Sequence, residues 1–534
     1  METTNYDFIV IGSGSSGAIV AARLSEDPRT RVLLLEAGKE DSGIWFHIPL
    51  GFAKVHFAED TTWRHETDPE PRLGDRRIPW FRGKVLGGSS STNGMVYVRG
   101  APTDYALWGQ MGARGWSYEE ILPFFKKAER QQRGADDYHG GDGPLAVEDG
   151  GWRNPLADAF IQSAAAIGIP RNDDFSGPSM EGAGYYQLTT SKGRRASTSA
   201  AYLRPARHRP NLHILTQALV TRIEIQDKRA VAVHFERGGT MHRAAAAGEI
   251  IVSAGAVNSP HILQLSGIGP AALLREYGIE VVHELPGVGE NLQDHVIAKR
   301  VWKTSSNDTL NMIMRSPLRQ AAMALQYLTT RRGPLAIGAA LAGAYASTRP
   351  ALDTPDVQMF LCPFAPKAGV AELADYSGFH VSVYQNRPES RGHVRIRSSD
   401  PRDLPSIYAN YLATENDRKT MCDGMHLVGR IAAQQPLAGL IVEETEPAGR
   451  ELDDEAMLAF IAETAFSAWH HSGTCKIGED ALAVVDSRLR VHGIDGLRII
   501  DGSVMPTVIS GNTNATCLMI GEKGAAMVKE DSRL

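Results

Sequence analysis

The chain has 534 residues, 43% of them hydrophobic and 22% charged, with a formal net charge of −6. That length exceeds one core and predicts roughly three domain-sized units, while the acidic balance gives no electrostatic footing for nucleic acid and favours small-molecule chemistry. Four scattered cysteines (Cys362, Cys422, Cys475 and Cys517) lack the spacing of a zinc site or a disulfide framework and suit a reducing compartment.

Residues 6–12 read as a buried strand. No basic region or cleavage site accompanies their apolar run, so a secretory leader is not expected and cytoplasmic residence is. Residues 15–24 predict a helix, and 31–36 a second apolar strand ending in an acid. The Gly- and Asp-rich stretch 134–143 reads as an exposed loop. Alternation over 212–225 predicts strands, 249–254 another buried strand, and about 259–265 a helix. Residues 335–346 are too few for the roughly 20 apolar residues of a membrane span. They predict a packed or lid segment, with peripheral membrane contact as the lesser alternative. Residues 356–364 are strand-like, 497–500 form a last strand, and 514–529 a helix. The β-α-β start implies an α/β fold with a parallel, doubly wound, Rossmann-like sheet. Its pieces recur along the chain, so one cofactor domain is expected from segments 1–155, 191–299 and 471–534. Segments 156–190 and 300–470 would form a second domain over it.

Gly12-x-Gly14-x-x-Gly17 follows the first strand and opens the first helix. The first glycine permits a tight turn, the second lets backbone approach a pyrophosphate, and the third lets helix and strand pack closely. Ser15 and Ser16 stand at the helix N-terminus, where free N–H groups attract phosphate. Glu36, followed by Ala37, ends the second strand where an acid binds ribose hydroxyls and disfavours NADP. A glycine turn in any α/β protein could carry the motif alone. The flanking strand, helix and acid make it a nucleotide site, without separating FAD from NAD.

Further segments separate them. Residues 82–95 (Arg-Gly-Lys-Val-Leu-Gly-Gly-Ser-Ser-Ser-Thr-Asn-Gly-Met) resemble the first signature of the glucose-methanol-choline (GMC) oxidoreductases, and 255–260 continuing to 266–269 resemble the second. Residues 285–295 (Leu-Pro-Gly-Val-Gly-Glu-Asn-Leu-Gln-Asp-His) are similar to another family block. Residues 469–475 and 501–512 resemble the active-site ends, and 195–203 and 390–395 point to the choline-dehydrogenase-like alcohol dehydrogenases. The resemblance implies FAD, and a substrate domain with a mainly antiparallel sheet flanked by helices. It implies that Arg82, Val85, Gly87, Gly88 and Ser89 approach pyrophosphate and flavin, and that Asn93, Gly94, Met95 and Val96 lie along the isoalloxazine. Val220 would meet adenine through its backbone. Ser253, Gly255, Asp501, Gly502 and Thr513 would complete the cofactor site, and Trp469 would wall it. Some relatives tether flavin through a histidine where this chain has Thr92, so the FAD is expected to be non-covalent.

Alcohol oxidation removes a hydroxyl proton and a hydride, and a histidine suits the proton at neutral pH. The family pattern places the base on His470 and a second polar group on Asn512, which also counts among the cofactor contacts. An amide there can hold a developing alkoxide without competing for the proton. His471 departs from the common pattern. Adjacent side chains of an extended segment point apart, so His471 is expected to be structural or supporting. No metal site is expected. The implied activity is FAD-dependent oxidation of an alcohol to an aldehyde or ketone, with a quinone or another carrier as acceptor. An oxygen-using oxidase and a hydroxynitrile-lyase-type enzyme are the alternatives. No motif identifies the alcohol.

Overall fold

The structure is a computed structural model and describes residues 5–350, 352–367, 372–448 and 452–532. Its chain alternates between two seven-stranded sheets. Strands β1 (Asn5–Ile11) and β2 (Val32–Leu35) start the first, and β3 (Gly182–Tyr185) already belongs to the second. The chain then returns to the first sheet with β4 (Leu212–Leu215), β5 (Leu219–Gln226), β6 (Arg229–Arg237) and β7 (Thr240–Val252). Six strands of the second sheet follow: β8 (Val296–Thr304), β9 (Ala342–Ala346), β10 (Val357–Cys362), β11 (Gly378–Gln385), β12 (Ile441–Glu446) and β13 (Phe466–Ser467). Last comes β14 (Leu497–Ile499), back in the first.

The first sheet has the order β4-β2-β1-β7-β6-β5, with β14 also on β7. Pairings among β4, β2, β1, β7 and β14 are parallel, whereas β5–β6 and β6–β7 are antiparallel. The unbroken apolar runs Phe8 to Ile11 and Val32 to Leu35 are what a parallel strand covered on both faces requires. Helices α1 (Gly17–Leu24), α2 (Gly255–Leu265) and α4 (Asn514–Asp531) attend this sheet, whereas α3 (Pro317–Thr330) lies on the surface of the other part. The second sheet, β12-β8-β11-β10-β9-β3 with β13 on β8, is antiparallel throughout. The fold is therefore a Rossmann-like α/β unit with an antiparallel sheet beside it.

Two local expectations are corrected, and a third is decided between its alternatives. Helix α2 starts at Gly255, four residues before the expected 259, with Pro260 inside it. A proline there cannot give its N–H to the carbonyl of residue 256, and the Thr474 hydroxyl donates to the Ala256 carbonyl instead, at 2.7 Å. Of the two readings of residues 335–346, packed segment or lid, the packed one holds: they end in β9, a buried inner strand paired with β10 and β3. The 134–143 loop is exposed only in part. His139 is buried, with Nδ1 3.0 Å from Glu129 and Nε2 2.9 Å from Asp174, and these two carboxylates raise its pKa to about 9.

Candidate active site

A cleft of about 1230 Å³, counting its solvent-open mouth, runs along the ends of the parallel strands. Gly12, Gly14, Ser15 and Ser16 line it at the turn between β1 and α1. Gly12 has φ +94°, and a Cβ there would lie 2.5 Å from the Ser253 carbonyl oxygen; one on Gly17 would lie 2.0 Å from the Gly12 carbonyl oxygen. The turn and the helix–strand contact thus exclude any side chain at either position.

Glu36 and Ala37 line the cleft beyond β2, opposite Val220. The Glu36 carboxylate accepts from the Ser13 N–H (3.0 Å), the Ser13 hydroxyl (2.6 Å) and the Gly38 N–H (2.8 Å). Burial pushes its pKa up, and these donors oppose that shift. Arg82, Gly88, Ser89, Ser253, Gly255, Asp501, Gly502 and Thr513 line the cleft as well. Asp501 accepts from the Gly255 N–H at 2.8 Å, the Ser259 hydroxyl at 2.5 Å and the Ser503 N–H at 2.8 Å, which ties β14 to the start of α2.

Other expected contacts lie outside the cleft lining. Gly17 is behind the turn, Gly87 gives its N–H to Ser13 at 3.1 Å, and Val85 packs with Phe46 and Val55. Asn93 Oδ1 accepts from Arg195 at 2.8 Å, and the Gly94 carbonyl from the Ala339 N–H at 2.9 Å. Met95 and Val96 join an apolar cluster with Ile297, Tyr345, Phe360 and Tyr384. Trp469 stacks edge-on against His56 at 4.5 Å, takes φ +59°, and gives its carbonyl to Arg82 at 2.8 Å.

The cleft fits a dinucleotide flavin. It offers main-chain N–H groups at a helix N-terminus for phosphate, a carboxylate at the ribose end and small residues along its lining. The N-terminus of α4 reaches the same turn, where the Ser15 hydroxyl donates to Asn514 at 2.7 Å.

His470 and His471 diverge. His471 lines the cleft and stacks on Trp80 with centroids 3.5 Å apart. His470 Nδ1 is 2.9 Å from His295 Nδ1, and its Nε2 is 3.0 Å from Asn512 Nδ2. The Asp294 carboxylate fixes the backbone, accepting the His470 N–H at 2.7 Å and the Ser467 hydroxyl at 2.6 Å. Burial raises the pKa of Asp294 to about 6.

Two hydrogen-bond chains set the proton positions. His295 Nε2 is 2.9 Å from the Asn386 carbonyl, which only accepts, so that nitrogen carries hydrogen. Burial lowers the His295 pKa to about 4, so the ring is neutral and its Nδ1 is a lone pair. His470 Nδ1 must then donate, which leaves the His470 Nε2 lone pair free to accept. The second chain starts at the Met359 carbonyl, to which the Tyr186 hydroxyl donates at 2.7 Å. Gln358 Nε2 donates to that hydroxyl (3.0 Å) and to Asn512 Oδ1 (3.3 Å), while the Tyr384 hydroxyl donates to Gln358 Oε1. Asn512 is thereby turned with its NH₂ toward His470. Both chains leave the His470 Nε2 lone pair as the acceptor. Burial, His295 and Arg82 hold the His470 pKa well below the ordinary histidine value.

Asp294, His295, Gln358 and Tyr384 carried no role in the sequence reading. The adjacent Asp294-His295 pair ends one of the segments that carried the resemblance, and was the available signal.

Comparison with known proteins identifies the family. The GMC oxidoreductase N-terminal family model matches residues 6–297, and the C-terminal model residues 388–521. The mitochondrial choline dehydrogenase of Mus musculus is 40% identical, over 98% of this chain and 89% of its own. An alcohol dehydrogenase [acceptor] of Pseudomonas putida is 38% identical, over 98% and 95%. Among solved structures, a pyridoxine 4-oxidase from Mesorbium loti superposes with a TM-score of 0.89 at 30% identity, covering 98% of this chain and 99% of that one.

Proposed function

Because the chain belongs to the GMC oxidoreductase family and is an FAD-dependent, alcohol-type oxidoreductase, we propose that it oxidises a primary or secondary alcohol with His470 as base and Asn512 as partner. The observation that carries this reading is the His470 Nε2 lone pair beside the Asn512 amide. A substrate hydroxyl between them gives its proton to Nε2 and accepts the Asn512 N–H, so charge developing on oxygen is met by a fixed donor. Bound FAD supplies the hydride acceptor. Gly12 to Ser16, Glu36, Gly88, Ser89 and the Asp501 region would hold it, and the division into 1–155, 191–299 and 471–534 against 156–190 and 300–470 follows the two sheets. Strand β8 starts at Val296, slightly ahead of that boundary. Thr92 offers no ring nitrogen to a flavin, which supports non-covalent FAD.

General-base assistance contributes about 10²- to 10⁴-fold in rate. Under anaerobic mixing with an alcohol panel, the purified protein should bleach its flavin. His470→Ala should slow that bleaching by about 10²-fold or more while keeping its FAD. Equal rates in the two proteins would refute the base assignment. A carrier such as a quinone is the acceptor we favour. Six of the similar curated proteins are named oxygen-dependent choline dehydrogenases at 40–42% identity, which favours oxygen as the second reading. Fast reoxidation by air with peroxide release would establish that second reading.

A further inference from the structure

Helix α3 turns an apolar stripe to solvent. Leu318, Leu325 and Leu328 are 81, 63 and 67% exposed, and Met314, one turn earlier, is 45% exposed. Within the helix, Leu318, Ala321, Leu325 and Leu328 recur at the three- and four-residue spacing of one face, and Met314 ends the short helix before it. Tyr327 is the helix's only buried residue, its hydroxyl donating to the Gly193 carbonyl at 2.9 Å. A helix that exposes its leucines along one side has a face in need of a covering surface.

The charges around it indicate which surface. From 309 to 352 the chain has no Asp or Glu and five arginines, although the whole protein is acidic. Arg315, Arg319, Arg331 and Arg332 are exposed, and among the described residues Arg349 alone of the five pairs with a carboxylate, Asp356. The turn carrying exposed Lys192 and Arg194 abuts this end, since a Cβ on Gly193 would lie 2.2 Å from the Arg331 carbonyl oxygen. Glu148, which accepts the Lys192 and Gly193 N–H groups, offsets one of these charges. Beyond α3, the turn Pro334–Ala336 packs on Pro49–Gly51. Close by in sequence are Ile44 and Trp45, both exposed, with the Lys54 ammonium 3.9 Å above the Trp45 ring. An indole beside a cation is characteristic of the headgroup region of a bilayer.

We propose that α3, with the Trp45 turn, docks the protein onto an anionic phospholipid surface. Leucines enter the boundary between headgroups and acyl chains, and the arginines meet lipid phosphates. A second copy of the same face would instead bring arginines against arginines.

The test uses the FAD-loaded protein, sedimented with vesicles of phosphatidylcholine alone or of phosphatidylcholine mixed with phosphatidylglycerol. It should pellet with the mixed vesicles and be released near ~1 M salt, where the screening length falls to about 3 Å. The double change Leu318→Gln with Leu325→Gln alters exposed positions only. It should weaken partitioning by about tenfold or more and leave turnover with a soluble dye acceptor unchanged. The proposal is overturned if the parent protein stays in the supernatant, or if neutral vesicles bind it equally. It is also overturned if the double variant binds undiminished, or if the leucines prove to hold a concentration-dependent dimer.

Discussion

Replacing His295 by Phe keeps a ring in the stack with Tyr384, now 4.4 Å between centroids, but removes the acceptor of the His470 Nδ1 hydrogen. A buried donor without a partner costs about 1–3 kcal/mol. The imidazole escapes that cost by moving its proton to Nε2, which then donates where it must accept. At 1.36 kcal/mol per factor of ten, flavin reduction by alcohol should slow by about 5- to 150-fold. His295→Gln is the control. Its amide NH₂ can still donate to the Asn386 carbonyl while its oxygen accepts from His470, so it should recover most of the rate. Anaerobic stopped-flow measures the limiting reduction rate, and flavin absorbance checks that cofactor content is equal. The two-chain reasoning fails if the Phe variant reduces its flavin at the parental rate, or if Gln is as slow as Phe.

Two more outcomes follow from other parts of the molecule. Precipitation with acid should leave a colourless pellet and FAD in the supernatant, because Thr92 cannot tether it; yellow protein in the pellet would contradict this. Stability should fall as the pH drops below about 6.5. His56, His65 and His380, held near about 3 by burial, and His261 and His295, near about 4, are neutral when folded and protonate on unfolding. Each costs about 1.4 kcal/mol per pH unit below its unfolded value, until its folded value is reached. Glu70 and Asp294, raised by burial to about 7 and about 6, and His139, raised to about 9 by its carboxylate partners, act in the opposite direction between pH 7.5 and 5.5 but are outnumbered. Urea midpoints at pH 7.5 and 5.5 check the sign, and an unchanged or higher midpoint at 5.5 would refute it.

The sequence made the first sheet readable where local pattern and tertiary role coincide. Residues 8–11 and 32–35 are apolar because both faces are covered, and the glycine turn lies between them. The helix expected from about 259 starts at Gly255 with Pro260 inside it, and the hydroxyl that serves the Ala256 carbonyl, Thr474, is far away in sequence. The small residues before and in β9 left packed segment and lid undecided because the deciding pairing with β10 is between strands and not local. In the candidate site the motifs pointed to His470 and Asn512, which the structure places in contact. They were silent on His295 and Gln358, whose value lies in which atom faces which. Hydrogen-bond direction has no periodicity and leaves no pattern along a chain.

The parallel sheet begins at Asn5, yet β14, placed beside the centre of that sheet, spans Leu497–Ile499. On a ribosome, β7, complete at Val252, therefore waits until Leu497 is made before this neighbour exists. Contacts between residues this far apart in sequence form slowly. Maturation is thus obligatorily late, and fragments ending before β14 should emerge without a finished nucleotide cradle and with bare strand edges open to aggregation.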